Sequence, residues 1–135
     1  MWVVAALGIG LLLGGAPLVN AQNTGAERLL PLGGSVTEIV YALGQGERVV
    51  GVDASSVHPE AATEKPSVGY YRQLSAEGVL SLNPDLILAL DGTGPPAVLD
   101  QLRSTDVQVE EIPDEPTVEG TRQKIRQVAE LVGQA

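Results

Sequence analysis

The run Val68-Gly69-Tyr70-Tyr71-Arg72-Gln73-Leu74-Ser75-Ala76-Glu77-Gly78 gathers residue types able to hold a ligand: two adjacent phenols, a guanidinium and a carboxylate. A deprotonated phenol is a hard oxygen donor suited to ferric iron, but its free pKa of about 10 means that the metal or a nearby cation must favour the phenolate at neutral pH. In an extended segment, residues two apart leave on one face. Arg72 is therefore expected beside Tyr70, within reach of its oxygen. Tyr71 is expected to point the other way, toward core or rim, unless the segment kinks. The alternatives are a half-buried Tyr70 ring at a strand end and a surface Arg72 paired with Glu77 or an acidic neighbour.

Composition gives those rings weight. The 135 residues hold three Tyr, one Trp and no Phe, so the core must be built from aliphatic side chains. At 44% hydrophobic residues the chain has enough apolar material for one domain. Seventeen acidic against eight basic residues give a net charge of −9, which argues against a nucleic-acid partner, since phosphate binding needs clustered Lys and Arg.

Other chemistry is sparse. His58, the one histidine, falls in the polar loop Ser55-Ser56-Val57-His58-Pro59, where an exposed ring is expected. Gly33, Gly34 and Ser35 form a strand-to-helix turn whose backbone N–H groups can meet an anionic group, although a tight turn without a ligand reads equally well. The full G-x-G-x-x-G pattern is missing, so dinucleotide binding has little support. There is no G-x-S-x-G, no H-E-x-x-H and no cysteine, and a non-enzyme is expected. A small enzyme using Asp53, Glu77 or Asp91 is the alternative, without a motif behind it.

The elements that position these residues follow from periodicity. Arg28–Leu32 is expected as a strand, and Ser35 as the N-cap of a helix with Glu38 completing a capping box. Val36, Ile39, Val40 and Leu43 form that helix's buried face. Val49–Val52 and Ser67–Tyr70 are short extended pieces around an irregular Asp53–Ser67. Ser75 caps a second helix, Leu86–Leu90 is a fully buried strand, and Val98, Leu99 and Leu102 line a third helix. Val107–Ile112 follows as a strand whose Glu110 and Glu111 mark an edge. Val118, Thr121, Ile125, Val128 and Val132 stripe a last helix. The order predicts an α/β fold: one Rossmann-like lobe with a mostly parallel sheet flanked by helices.

Residues 1–21 read as an export signal, apolar and uncharged from Trp2 to Val19, with Val19-Asn20-Ala21 as the cleavage site. No Lys or Arg follows Met1, which departs from the usual pattern, and a membrane anchor is the alternative. Without cysteine there is no lipid attachment of the kind that tethers many exported proteins, so a soluble periplasmic product is expected.

Together, LLPLGGSVTEIVYALGQGERVVGVD, VGYYRQLSAEGVLSLNPDLILA and GPPAVLDQL resemble the haem-binding periplasmic proteins of bacterial haem-uptake ABC transporters, in the helical-backbone class that also serves cobalamin and siderophores. The resemblance runs from about Arg28 to the end, and the G-Y-Y-R-x-L-S-A-E-G run is its most specific part. It implies two α/β lobes joined by a long helix, of which residues 22–135 match the N-terminal one, with the second lobe and connecting helix outside the chain. It implies a transported ligand, ferric haem b (hemin), with Tyr70 as the iron ligand and Arg72 hydrogen-bonded to its phenolate. Tyr71 is a stacking residue or swapped ligand, and the Gly34–Ser35 turn a contact for a propionate. Glu77 is implied as the carboxylate that docks on the inner-membrane permease, and a monomer is expected. A cobalamin or ferric-siderophore binder, or a non-binding truncated remnant, are the alternatives.

Overall fold

The computed structural model describes residues 25–135. The leader expected at residues 1–21 lies outside them. Among the described residues no helix is long and apolar enough to cross a membrane.

Three parallel strands form the sheet in the order β1 (Leu29–Leu32), β2 (Leu86–Leu90), β3 (Gln108–Ile112). Leu30 pairs with Ile87, and Ile87 with Val109. β2 lies in the middle and every residue of it is buried, which is why LILAL shows no polar face. β3 pairs with one neighbour only, as its two glutamates suggest for an edge.

Among the described residues four helices cover the sheet: α1 (Gly34–Ala42), α2 (Ala76–Leu80), α3 (Pro96–Arg103) and α4 (Val118–Leu131). α1 packs on α4 and α2 on α3. The 49–52 segment, reached through α1, lies on one side of β1, and β2 and β3, reached through α2 and α3, lie on the other, so right-handed crossovers put these two pairs on opposite faces. The expected parallel sheet flanked by helices is thus the fold observed. The core is aliphatic, with Leu29, Leu30, Leu32, Leu86, Ile87, Leu88, Leu102 and Ile112 fully buried, and Tyr71 its one aromatic member among the described residues.

Four local expectations change. The strand expected at 49–52 and the extended piece at 67–70 each reduce to isolated parallel bridges, Leu29 with Val49 and Val52 with Ser67. The chain between them turns off at Asp53 after too few residues to build a ladder. The polar stretch 53–67 contains a 3-10 helix, Glu60–Glu64, pinned by the fully buried Ala62. The capping box on Ser35 does not form: the N-cap of α1 lies two residues earlier, at Gly33 with φ 98°. Asp53 and Ser55 take the amides of Gly33 and Gly34, so the Ser35 hydroxyl is free to accept from Lys124 Nζ at 3.2 Å.

The fourth change rotates the buried stripe of α4. Val118 is 72% exposed and Ile125 43% exposed, whereas Lys124 is buried through its ion pair with Asp114 and its bond to Ser35. A lysine enters the buried face because those two oxygens are there to meet its ammonium group.

Leu88→Ala on the central strand should lower unfolding free energy by about 2–5 kcal/mol in urea titration. Val118→Ser should change it by no more than about 0.5 kcal/mol. Equal losses would contradict the rotated α4 stripe.

Candidate functional site

The carboxyl ends of β1, β2 and the 49–52 segment open onto one edge of the lobe, where open α/β sheets place their ligands. Asp53 organises that edge. It is 1% exposed and accepts five hydrogen bonds. Oδ1 takes Gly33 N–H at 3.0 Å and Ser56 Oγ at 2.8 Å. Oδ2 takes Ser55 N–H at 3.0 Å, Ser55 Oγ at 2.8 Å and, more weakly, Tyr71 N–H at 3.4 Å. A buried carboxylate needs such donors. Because they come from three segments, the α1 turn, the 55–56 loop and the tyrosine pair are held in fixed relation. This excludes Asp53 as an accessible acid or base.

Backbone bonds fix Tyr70 from both sides. Gly69 C=O accepts from Ala54 N–H at 2.8 Å, Tyr70 C=O from Gln73 N–H at 2.9 Å, and Tyr71 C=O from Gly94 N–H at 3.0 Å. Gly69 has φ 85°, a pivot that a side-chain-bearing residue adopts only with strain. Beyond it the Tyr70 ring stands 44% exposed, and its hydroxyl makes no hydrogen bond among the described residues.

Tyr71 turns inward. It is 9% exposed and meets the Tyr70 ring edge-on, with centroids 5.1 Å apart at 77°. The expected bond from Arg72 to Tyr70 is replaced by one to Tyr71: Arg72 Nε donates to Tyr71 Oη at 3.0 Å, and its Cζ lies 5.3 Å from that ring's centroid. The same-face rule fails because residues 70–73 form a turn, closed by the Gln73–Tyr70 bond, instead of a strand. The Arg72 pKa is raised above its ordinary value by the hydrogen bond to Tyr71 first, then by the fields of Tyr71, Tyr70 and Asp91. The pairing of Arg72 with Glu77 that sequence left open is not formed.

Of the other expected residues, Gly34 lies at the site's edge with its N–H already held by Ser55 Oγ at 3.0 Å, so it is not available to a propionate. Ser35 is half-buried beside Lys124. Glu77 is exposed in the first turn of α2, whose cap is Ser75 Oγ accepting from Gly78 N–H at 3.1 Å. His58 is exposed and lines a separate groove with Glu38, Tyr41, Ala42 and Pro59. Asp91, Glu111, Ile112 and Pro113 border a recess of about 330 Å³ at the ends of β2 and β3. Elsewhere, burial first and then Glu47 and Glu64 raise the Tyr41 pKa.

Sequence reasoning missed the bracing role of Asp53 and the bond of Arg72 to Tyr71. An Asp directly after the apolar VVGV was the available signal for the first. For the second there was none.

What this edge offers is an exposed phenol on a braced backbone, with the Arg72 guanidinium close by. The periplasmic binding protein family matches residues 31–135. The chain is similar to the periplasmic heme-binding protein RhuT from Roseiflexus sp. RS-1, with 46% identity and a TM-score of 0.77 over 81% of this chain and 42% of that one. A periplasmic heme binding protein from Pseudomonas aeruginosa aligns with 42% identity and a TM-score of 0.78 over 81% and 39%. The vitamin B12-binding protein of Yersinia pestis is 40% identical over 92 residues, 68% of this chain and 33% of that protein. The chain belongs to the periplasmic binding protein family, and it spans about a third to two fifths of the length of these relatives.

Asp53→Ala should lower stability by about 3 kcal/mol, because it strands several buried donors at once. Hydrogen exchange should quicken at the Gly33 and Tyr71 amides in that variant. Unchanged protection at both would contradict the bracing role.

Proposed function

We propose that this chain supplies one lobe of a haem-capturing periplasmic binding protein and that Tyr70, as phenolate, ligates the ferric iron. One observation carries the reading: an exposed phenol, without a hydrogen-bond partner among the described residues, stands on a braced backbone at the carboxyl edge of the sheet. A hydroxyl already bonded within the protein would have to give up that bond before reaching iron. The residues fit the ligand in kind, since tyrosine is an established axial ligand of haem and a guanidinium nearby supports the anionic form.

In this reading a facing lobe encloses the porphyrin's other side, and closure buries its apolar faces. Glu77, exposed in the first turn of α2, is the carboxylate offered to the permease of an ABC importer. Residues 1–21 direct export to the periplasm, where the relatives' descriptions place them. Ser35 borders the ligand edge, with its hydroxyl accepting from the buried Lys124 Nζ at 3.2 Å.

A second reading, cobalamin as ligand, is favoured by the 40% identity to vitamin B12-binding proteins. Visible spectroscopy separates the two. Hemin added to the chain should produce a phenolate-to-iron charge-transfer band that Tyr70→Phe abolishes, with Tyr71→Phe retaining it. Cobalamin binding without any hemin spectrum would overturn the haem assignment, and a band surviving in Tyr70→Phe would overturn the ligand.

A further inference from the structure

We propose that Gly92 is a positioning residue: lacking a side chain, it gives the Arg72 guanidinium a flat seat on the turn after β2, which occupies one face of that group and leaves its Nη N–H groups free to donate to the Tyr70 oxygen. The inference deepens the haem reading and rests on it for its consequence, while the seat itself belongs to the ligand-free protein.

The turn after β2 is locked to the tyrosine turn by two backbone bonds. Gly94 N–H donates to Tyr71 C=O at 3.0 Å, and Leu74 N–H donates to Gly94 C=O at 2.9 Å. Thr93, one residue earlier, is buried, with its hydroxyl donating to the Leu90 carbonyl at 2.6 Å. Arg72 lies between the two clamped residues, so its backbone is fixed over this turn, and its side chain meets Gly92 there. A Cβ on Gly92 would stand 3.3 Å from Arg72 Cζ, 3.3 Å from Nη2 and 3.4 Å from Nη1. Three atoms of a rigid plane at almost one distance put that position over the plane's face, at its Nη end. A backbone without a side chain can be approached this closely.

The chemistry gives the seat its sense. A guanidinium donates only in its plane, and its Nε is already given to Tyr71 Oη at 3.0 Å. A partner that used the Nη edge would compete with the ligand site for those donors, whereas a backbone lying against the face does not. Gly92 therefore restrains the head group while leaving its remaining donors unused. In the haem reading these are the donors that support Tyr70 as phenolate. A side chain at position 92 would tilt the plane off the turn, and the single Nε bond would leave the head group free to swing.

Gly92→Ala tests this against a control of similar backbone strain. Gly92 has φ 86° and Gly44 φ 75°, but a Cβ on Gly44 would meet nothing within 4 Å, so Gly44→Ala carries left-handed strain without the contact. With hemin, Gly92→Ala should move the charge-transfer band in the direction that Arg72→Ala moves it, and should release hemin roughly fivefold faster than wild type, about the worth of one net hydrogen bond. Gly44→Ala should match wild type in both. In ligand-free wild type at low temperature, nuclear Overhauser contacts should join the Gly92 Hα protons to the Arg72 guanidinium, a result that stands whether or not Gly92→Ala folds. Absence of those contacts, or a Gly92→Ala band and release rate equal to those of Gly44→Ala, would overturn the proposal. A wild-type chain that gives no hemin spectrum would instead overturn the haem reading, and the Overhauser contacts would still decide where Arg72 is seated.

Discussion

A carboxylate without water must find donors, and Asp53 finds five of them. That requirement shapes the whole carboxyl edge of the lobe. It draws the Gly33 turn, the Ser55–Ser56 loop and the Tyr71 amide toward one point, and Ser56 passes the link on to Thr37 of α1 through a 2.7 Å hydroxyl contact. None of these segments is regular structure, so no ladder or helix could have held them. Loops at such edges are otherwise free to move, and here side-chain acceptors do the bracing that backbone pairing does within the sheet.

The bracing divides two neighbouring, chemically identical side chains. Tyr71 is turned into the core, where its ring stacks and its hydroxyl receives Arg72. Tyr70, one residue earlier and just after the Gly69 pivot, is displayed. In the proposed role, a fixed base and an open oxygen favour ligation, because holding the donor in place lowers the ordering cost of binding. The lobe's remaining polar contacts serve mainly to tie its ends together. Arg48 bridges the Ala26 and Val132 carbonyls, and Asp85 accepts from the Glu27 and Arg28 amides.

Most of the framework was legible in the sequence. Continuous apolar LILAL could only be a strand buried on both faces, and Ser75 capped its helix as its type and place suggested. What could not be read were relations between distant residues. The Asp114 and Ser35 oxygens that draw Lys124 inward lie 10 and 89 positions from it, so the periodicity of α4 alone put Ile125 in the core. At the site, residue type and family pattern singled out Tyr70, and the structure leaves its ring exposed. The partner of Arg72 was not legible, because the same-face rule presumes an extended backbone and the Gln73–Tyr70 bond makes a turn. Asp53 was visible as an acidic residue after an apolar run, but its five partners are set by the tertiary fold.

The central claim concerns one bond, from the Tyr70 oxygen to ferric iron. Resonance Raman spectroscopy of the hemin-loaded chain, grown with ring-deuterated tyrosine, addresses that bond directly. The account predicts enhanced phenolate vibrations that move on deuteration and vanish when position 70 alone is changed to Phe. Hemin bound without any tyrosine-sensitive vibration, or with one traced to Tyr71, would contradict it.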